Sequence, residues 1–303
     1  MIKKFIKIYK YIYMGVCYPD DMDASPIGRD ASIEEIEAAS DALLGHTFGD
    51  IVTTDLSGAD RTKVKGQLGE LLENYYGMAN DNDPLPDFRA AGLELKCKPL
   101  KISYGDYFYP KEPLSVGMID YSEVAETEYW RDIEKLRKKF LNLLIVWFVH
   151  DGDSRADFPF IWWQSWSPHE HMDEQIQEEY EEIRRQVLEG EHLSETEAGN
   201  DILQTCPKHN YDFANDEPGS FVVNSGHPHL EKPERRSWRI PTRFLVRMLA
   251  DNANLELIDR GRVQYVKKDA LWKKSKDRAT DAESISRFVS IGDAQSELRD
   301  FDR

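Results

Sequence analysis

Residues 86–100 read PDFRAAGLELKCKPL. Within this stretch Leu93, Leu95 and Cys97 alternate with Glu94, Lys96 and Lys98, the period-two pattern of a strand with one apolar face. Pro99 is expected to limit the strand, because proline cannot donate to a ladder. Strand geometry puts the side chains of Glu94 and Lys96 on one face, about 6.5–7 Å apart along the chain. Asp87 arrives from the turn before it. Two carboxylates converging at a strand end are hard oxygen ligands suited to Mg²⁺, which keeps several waters and accepts a phosphate oxygen. Such an ion lowers the pKa of a bound water and neutralises charge on a phosphodiester. A lysine two residues beyond the second carboxylate is placed to orient or deprotonate that water, or equally to stabilise a pentavalent phosphate.

Outward from this strand the chain mixes helical and extended patterns. Upstream, KVKGQLGELLENYYG (63–77) places Leu68, Leu71, Leu72 and Tyr75 on one helical stripe and Gly66, Gly69 and Glu73 on another. Two helical glycines cost roughly 1 kcal/mol each. They leave bare backbone beside Glu73, for close packing on a neighbour or for the approach of a large ligand. Earlier still, Ser32 followed three residues later by Glu35 reads as a capping box, with Ile36, Ala39 and Leu43 on the apolar side and Gly45 as the stop. Downstream, the basic helix pattern TEYWRDIEKLRKKF runs into LNLLIVWFV, an apolar run typical of a central strand covered on both faces. A long acidic helix follows at about 171–189, then a loop-rich region containing Cys206-Pro207-Lys208, then the amphipathic RIPTRFLVRMLADNA. The order predicts an α/β (α+β mixed) fold with a central mixed sheet.

Bulk properties narrow the function. With 303 residues and 40% hydrophobic content the chain can bury a large core. No apolar run approaches the length of a transmembrane helix. The basic, apolar opening MIKKFIKIYKYIYMGVCYPDD is interrupted by Lys7 and Lys10, and Val16 before Cys17 does not suit a lipoprotein cleavage site. Residues 1–30 are therefore expected to be an N-terminal extension, with Met14 or Met22 as the native start, and the protein to be cytoplasmic. Residues 31–265 are expected to form the catalytic domain and 266–303 a charged C-terminal tail or peripheral helix. The three cysteines form no CxxC pair, which fits a reducing compartment. Neither they nor the eight histidines give zinc spacing, His169 and His171 being merely near each other, and Cys97 on the apolar strand face reads as a core thiol. The net charge of −17 argues against nucleic acid as a partner, yet its distribution is uneven. Residues 171–201 hold eleven acids against two arginines, whereas 232–278 hold fourteen basic residues against six acids. An acidic total can coexist with a basic face.

Several of these blocks, in order, resemble the MutH-like nucleases, a family comprising a mismatch-repair strand-nicking enzyme and related type II restriction enzymes that cut at GATC. LLGHTFGDI resembles the family's G-x-T-x-G-[DE] block, KGQLGELLENYYG its K-G-x-x-G-x-L-L-E helix and PDFRAAGLELKCKPL its D-F-x-x-x-G-x-E-L-K-x-x-P strand. QSWSP with its acidic helix and LQTCPKHN resemble two further blocks, so the likeness runs from about residue 32 to 250. It implies a restriction-endonuclease-like core, a central mixed sheet flanked by helices, in two lobes around a DNA cleft. Asp87 and Glu94 would hold Mg²⁺, with Glu73 as an additional carboxylate. Lys96 would act on the attacking water. The second active-site lysine would be Lys139, with Lys138 or Lys135 also allowed by the local spacing. Lys208 would read base edges in the major groove. Trp238 and Arg239 would contact DNA in a second segment, and Arg235, Arg236 and Arg243 would neutralise its backbone.

The departures from the family pattern fall on the DNA-reading side. Cys206 stands where the mismatch enzyme has a basic residue, and Pro241 and Thr242 replace a run of lysines. The resemblance therefore implies a Mg²⁺-dependent, sequence-specific endonuclease acting on double-stranded DNA, with restriction at GATC or a related site favoured over mismatch-repair nicking. Restriction implies self-association on DNA or two sequential nicks, and nicking implies a mismatch-repair activator. A DNA-binding module that kept the fold and lost catalysis is the rival from another class, and the intact carboxylate and lysine set speaks against it.

Overall fold

The computed structural model describes residues 27–51, 67–78, 85–151, 154–191, 193, 200–208 and 235–279. Three helices come first: α1 (Ile33–Ala42), α2 (Phe48–Ile51) and α3 (Gln67–Tyr75). The capping box closes, Glu35 N donating to Ser32 Oγ at 3.2 Å and Ser32 N donating to Glu35 Oε2 at 2.8 Å. Three strands follow, β1 (Glu94–Ser103), β2 (Tyr107–Pro110) and β3 (Leu114–Met118), and then α4 (Tyr121–Glu126), a 3-10 turn at Trp130–Asp132 and α5 (Glu134–Phe140). Next come β4 (Leu143–Val149), β5 (Phe160–Trp166), α6 (Glu170–Glu189), β6 (Gln204–Pro207), β7 (Arg236–Ile240), α7 (Thr242–Ala253), β8 (Ile258–Arg260), β9 (Val263–Lys267) and α8 (Lys268–Arg278).

Six strands form the main sheet in the order β5-β4-β1-β2-β9-β8, and β3-β7-β6 form a second sheet. The main sheet is mixed, because β1 runs parallel to β4 while its other pairs are antiparallel. This central mixed sheet flanked by helices is the restriction-endonuclease-like core expected from the sequence. All seven residues of β4 are buried, as the uninterrupted apolar run predicts for a strand covered on both faces. Leu143, Ile145, Trp147 and Val149 face one core, shared with α4 to α7, and Leu144, Val146 and Phe148 face the other, shared with α1 to α3.

Pro99 does not end β1, which continues through it to Ser103. The even residues of β1 face β4, as Glu94 N donating to Asn142 O and His150 N donating to Leu100 O show. The missing N–H of Pro99 therefore points to the opposite side. There the pairing with β2 begins only at Leu100, and the Pro99 carbonyl still accepts from Lys111 N at 2.9 Å. Proline is tolerated because no ladder donor is required of it. Ahead of Leu100 no described strand pairs with that edge of β1.

The boundary expected at residue 265 falls inside β9. Val266 and Leu271 are both buried in the larger core. Arg278 on α8 pairs with Asp41 at 2.7 Å and lies 3.8 Å from the Trp163 ring centroid, tying this helix back to the end of α1. The remaining parts of the expected terminal segments, 1–26 and 280–303, lie outside the described residues, as does Gly66. Among the described residues no helix is long and apolar enough to cross a membrane.

Trp147 is fully buried at the centre of β4, and its indole N–H donates to Gln164 Oε1 at 3.2 Å. Trp147→Ala should cost about 3–5 kcal/mol, because it leaves a large cavity and removes a buried donor. Urea denaturation followed by fluorescence or circular dichroism would measure that loss.

Candidate active site

The turn before β1 carries the first carboxylate. Phe88 and Leu93 close it with reciprocal backbone hydrogen bonds of 2.9 and 3.2 Å, and Gly92 takes φ +65°, where a side chain would be strained. The closure brings Asp87 back beside the strand, where its Oδ2 accepts from Leu95 N at 2.8 Å. That return explains how a residue seven positions before Glu94 shares its site.

Glu94 is 2% exposed. Its Oε1 accepts from Lys96 Nζ at 2.5 Å and from Lys139 Nζ at 3.0 Å. Lys96 comes from the same strand face. Lys139 comes from the last turn of α5, just before β4, and the pairing of Glu94 with Leu143 sets it opposite the carboxylate. Among the three lysines the sequence allowed, Lys139 is the one that reaches Glu94. Lys138 bonds instead to Glu134 at 2.6 Å, and Lys135 is exposed.

Glu73, half-buried on α3, faces the same space. Burial pushes its carboxyl above the usual carboxylate range, with the nearby Asp87 charge adding to the effect. Asp87 is likewise raised, first by burial and then by Glu94, while Lys96 and the Leu95 N–H pull the other way. Negative groups are thus crowded beyond what the two lysines neutralise.

Glu94 Oε2 is buried and accepts no hydrogen bond among the described residues. A buried carboxylate oxygen left without a donor is costly unless a cation serves it. The donor set, Asp87 and Glu94 with Glu73 beside them, is hard oxygen throughout and suits Mg²⁺. Among the described residues no three His, Cys, Asp or Glu side chains converge as a ready cage. Mg²⁺ is ordinarily held by one or two carboxylates plus water and substrate phosphate, so two protein oxygens suffice.

The residues expected to meet DNA gather on the second sheet. Strand β6 pairs with β7 in the register Gln204–Arg239, Thr205–Trp238, Cys206–Ser237 and Pro207–Arg236. Lys208, half-buried, continues this pairing through its N–H to the Arg235 carbonyl. Arg239 donates to Gln204 Oε1 at 3.2 Å. Arg243 pairs with Asp201 at 2.8 Å and also donates to the Asn200 carbonyl. Trp238, which the resemblance set among the DNA contacts, is buried. Strand β7 is the middle strand of its sheet, and the Trp238 ring is 1% exposed, packed near Tyr180 of α6. Arg236 is also buried and donates to Thr205 Oγ1 at 3.0 Å.

Sequence reasoning missed Glu179. The acidic helix α6 reads as a solvated face, yet Glu179 is 5% exposed and accepts from the consecutive N–H groups of Asp201, Ile202 and Leu203. It anchors the segment that leads into β6 and Lys208. The signal was present in the spacing, since Glu179 falls on the buried stripe of Ile176, Tyr180, Ile183 and Val187.

The raised carboxyls have a thermodynamic consequence. A folded carboxyl that holds its proton more tightly than in the unfolded chain makes stability fall as pH rises from the ordinary carboxylate pKa through the raised one. Asp87→Asn should therefore raise the melting temperature at pH 8 in EDTA and leave it unchanged at pH 4. Added Mg²⁺ should stabilise the native chain and not the variant. Scanning fluorimetry at both pH values measures all three expectations.

Residues 76–179 match the family model described as the DNA mismatch repair enzyme MutH. Asp87, Glu94, Lys96 and Lys139 all fall inside that span. Curated relatives extend the match. The DNA mismatch repair protein MutH of Shigella flexneri serotype 5b (strain 8401) is 27% identical over 191 residues, covering 58% of this chain and 75% of that protein. The protein of the same name from Escherichia coli O127:H6 (strain E2348/69 / EPEC) is 26% identical over 191 residues, with the same coverage. Matched sequence blocks, the mixed sheet and the carboxylate–lysine cluster coincide on one strand, and over that span the chain is similar to the MutH family.

Proposed function

We propose that this chain is a Mg²⁺-dependent, sequence-specific DNA endonuclease of the restriction type, cutting at GATC or a related site. The observation that carries the reading is Glu94, a buried carboxylate with both lysines on one oxygen and no donor on the other. In this reading Asp87 and Glu94 hold Mg²⁺ with Glu73 beside them. The bound ion supplies charge neutralisation at the scissile phosphate and a water of lowered pKa. Lys96, held by Glu94, orients the attacking water at its Nζ. Lys139 stabilises the charge that grows on the phosphate oxygens as the new P–O bond forms and the old one breaks. Lys208 and Arg239 contact DNA from the second sheet, while Trp238, Arg236 and Arg243 brace the strands that carry them. Restriction is favoured over activator-dependent nicking because the departures from the family pattern, at Cys206, Pro241 and Thr242, concentrate around those strands.

Purified protein incubated with Mg²⁺ and a GATC plasmid, unmethylated and hemimethylated, tests this reading. Linear product from unmethylated DNA without an added activator is the expected result. Nicking that requires a mismatch-repair activator would replace restriction by repair, and binding without cutting in any divalent cation would leave only a DNA-binding module.

Two variants and a pH series probe the centre itself. Asp87→Ala should lower kcat by about 100-fold or more, as loss of a group acting at the developing charge does. Unchanged cleavage would remove Asp87 from the site. Because burial and Glu94 raise its carboxyl, activity at limiting Mg²⁺ should fall with decreasing pH before the ordinary carboxylate range is reached. Raising the Mg²⁺ concentration should shift that fall to lower pH.

A further inference from the structure

A cavity of ≈ 580 Å³ extends along that edge of β1, from Glu73 and Lys96 at one end to Lys111, His150 and Arg155 at the other. Its walls differ in kind. On the α3 side stands Gly69, where an added Cβ would meet nothing within 4 Å. This glycine is not required for close helix packing, and it leaves the wall open. On the facing side Lys111 Nζ donates to His150 Nε2 at 2.6 Å. Burial first, then the charges of Lys111 and Arg155, favour the neutral imidazole, against the opposing charge of Asp151. The histidine is held firmly, its N–H on the Leu100 carbonyl at 2.8 Å and its ring 4.6 Å from that of Phe158. The carboxylates nearby are otherwise placed. Glu112 is paired with Lys98 at 3.6 Å, and Asp151 is exposed. Among the described residues neither Lys111 nor Arg155 has a carboxylate partner. Cations gathered at the end of a cavity and left without counter-charge are suited to an anion.

We propose that Lys111, His150 and Arg155 form a phosphate subsite that holds the DNA backbone a few nucleotides from the bond being cut, with Gly69 giving the strand its passage. The spacing agrees. His150 is tied to Leu100, four residues along β1 from Lys96, which is about 13 Å at ~3.3 Å per residue. One DNA strand carries a phosphate per ~3.4 Å of helix axis, so the subsite lies within a few base steps. Such a contact positions the substrate without reading its sequence. The proposal rests on the nuclease reading for its substrate, while the anion site itself can be tested without it.

The experiment uses the full chain, with Lys111→Gln, Arg155→Gln, the double variant and Gly69→Leu. In plasmid cleavage each charge variant should raise KM roughly 3–10-fold near physiological salt and lower the slope of log K against log salt by about 0.9 per lost contact. Cognate and near-cognate sites should be affected alike, with kcat within about two-fold of the parent. Gly69→Leu should keep or raise the melting temperature, since leucine is the better helix former, and still raise KM. An unchanged salt slope in a folded double variant overturns the proposal. Titration of inorganic pyrophosphate against the His150 ring resonances gives the second arm. A saturable shift, lost in the double variant, supports the subsite even if DNA is neither bound nor cut, an outcome that sinks the nuclease reading alone. No shift overturns the subsite.

Discussion

A buried carboxylate between two ammonium groups is the constraint on which this molecule turns. Taking Glu94 out of water costs several kcal/mol unless the charge is met by partners in good geometry. Lys96 meets it from the same strand face and Lys139 from the end of α5. Both placements depend on one structural fact, the parallel pairing of β1 with β4 that sets Glu94 beside Leu143. The helix that delivers Lys139 must end where β4 begins, and β4 must be covered on both faces to hold β1 in register. The fold and the reacting groups are therefore one requirement, and a shift of register by one residue would carry Glu94 to the opposite face.

The lysines satisfy only one oxygen of Glu94, and at Glu73 and Asp87 burial outweighs the relief that Lys96 and, for Asp87, the Leu95 N–H provide. Their raised carboxyls record an arrangement that opposes folding at neutral pH. Sites that must bind charge commonly store such conflict, since the groups that favour function are not those that favour the empty chain. Glu179 is the contrasting case. Burial raises its carboxyl too, but three backbone N–H groups pull the other way and tie it to the segment that leads into β6.

What could be read from the sequence follows from the range of the physics involved. Period-two alternation is local, so Glu94 and Lys96 on one face were legible, as were the capping box and the covered strand. The turn before the strand was legible as the source of Asp87, but its participation depends on closure of that turn by Phe88 and Leu93, which the sequence does not show. Choosing Lys139 over Lys138 required knowing which side of α5 faces β1, a tertiary fact. Pro99 misled because the rule against proline in strands holds for the side that needs a donor, and sidedness is set by neighbours. Trp238 was named as a DNA contact by the resemblance alone, and a motif position does not reveal which strand of a sheet becomes the central one.

Charge distribution gives the same lesson on a larger scale. The basic segment 232–278 looked like the face that would offset a net charge of −17. Several of its arginines instead serve the protein: Arg243 and Arg247 on Asp201, Arg236 on Thr205, Arg278 on Asp41. Lys96, Lys111 and Arg155 line one cavity and Lys139 reaches Glu94 beside it, positions scattered over some sixty residues with acids between them. No window of composition can detect such a set, because folding alone brings its members together. A low-dielectric cleft then focuses their field where a strongly acidic surface surrounds it. Net charge governs how this protein repels polyanions at a distance, and a few converging cations govern whether one can be held once it enters.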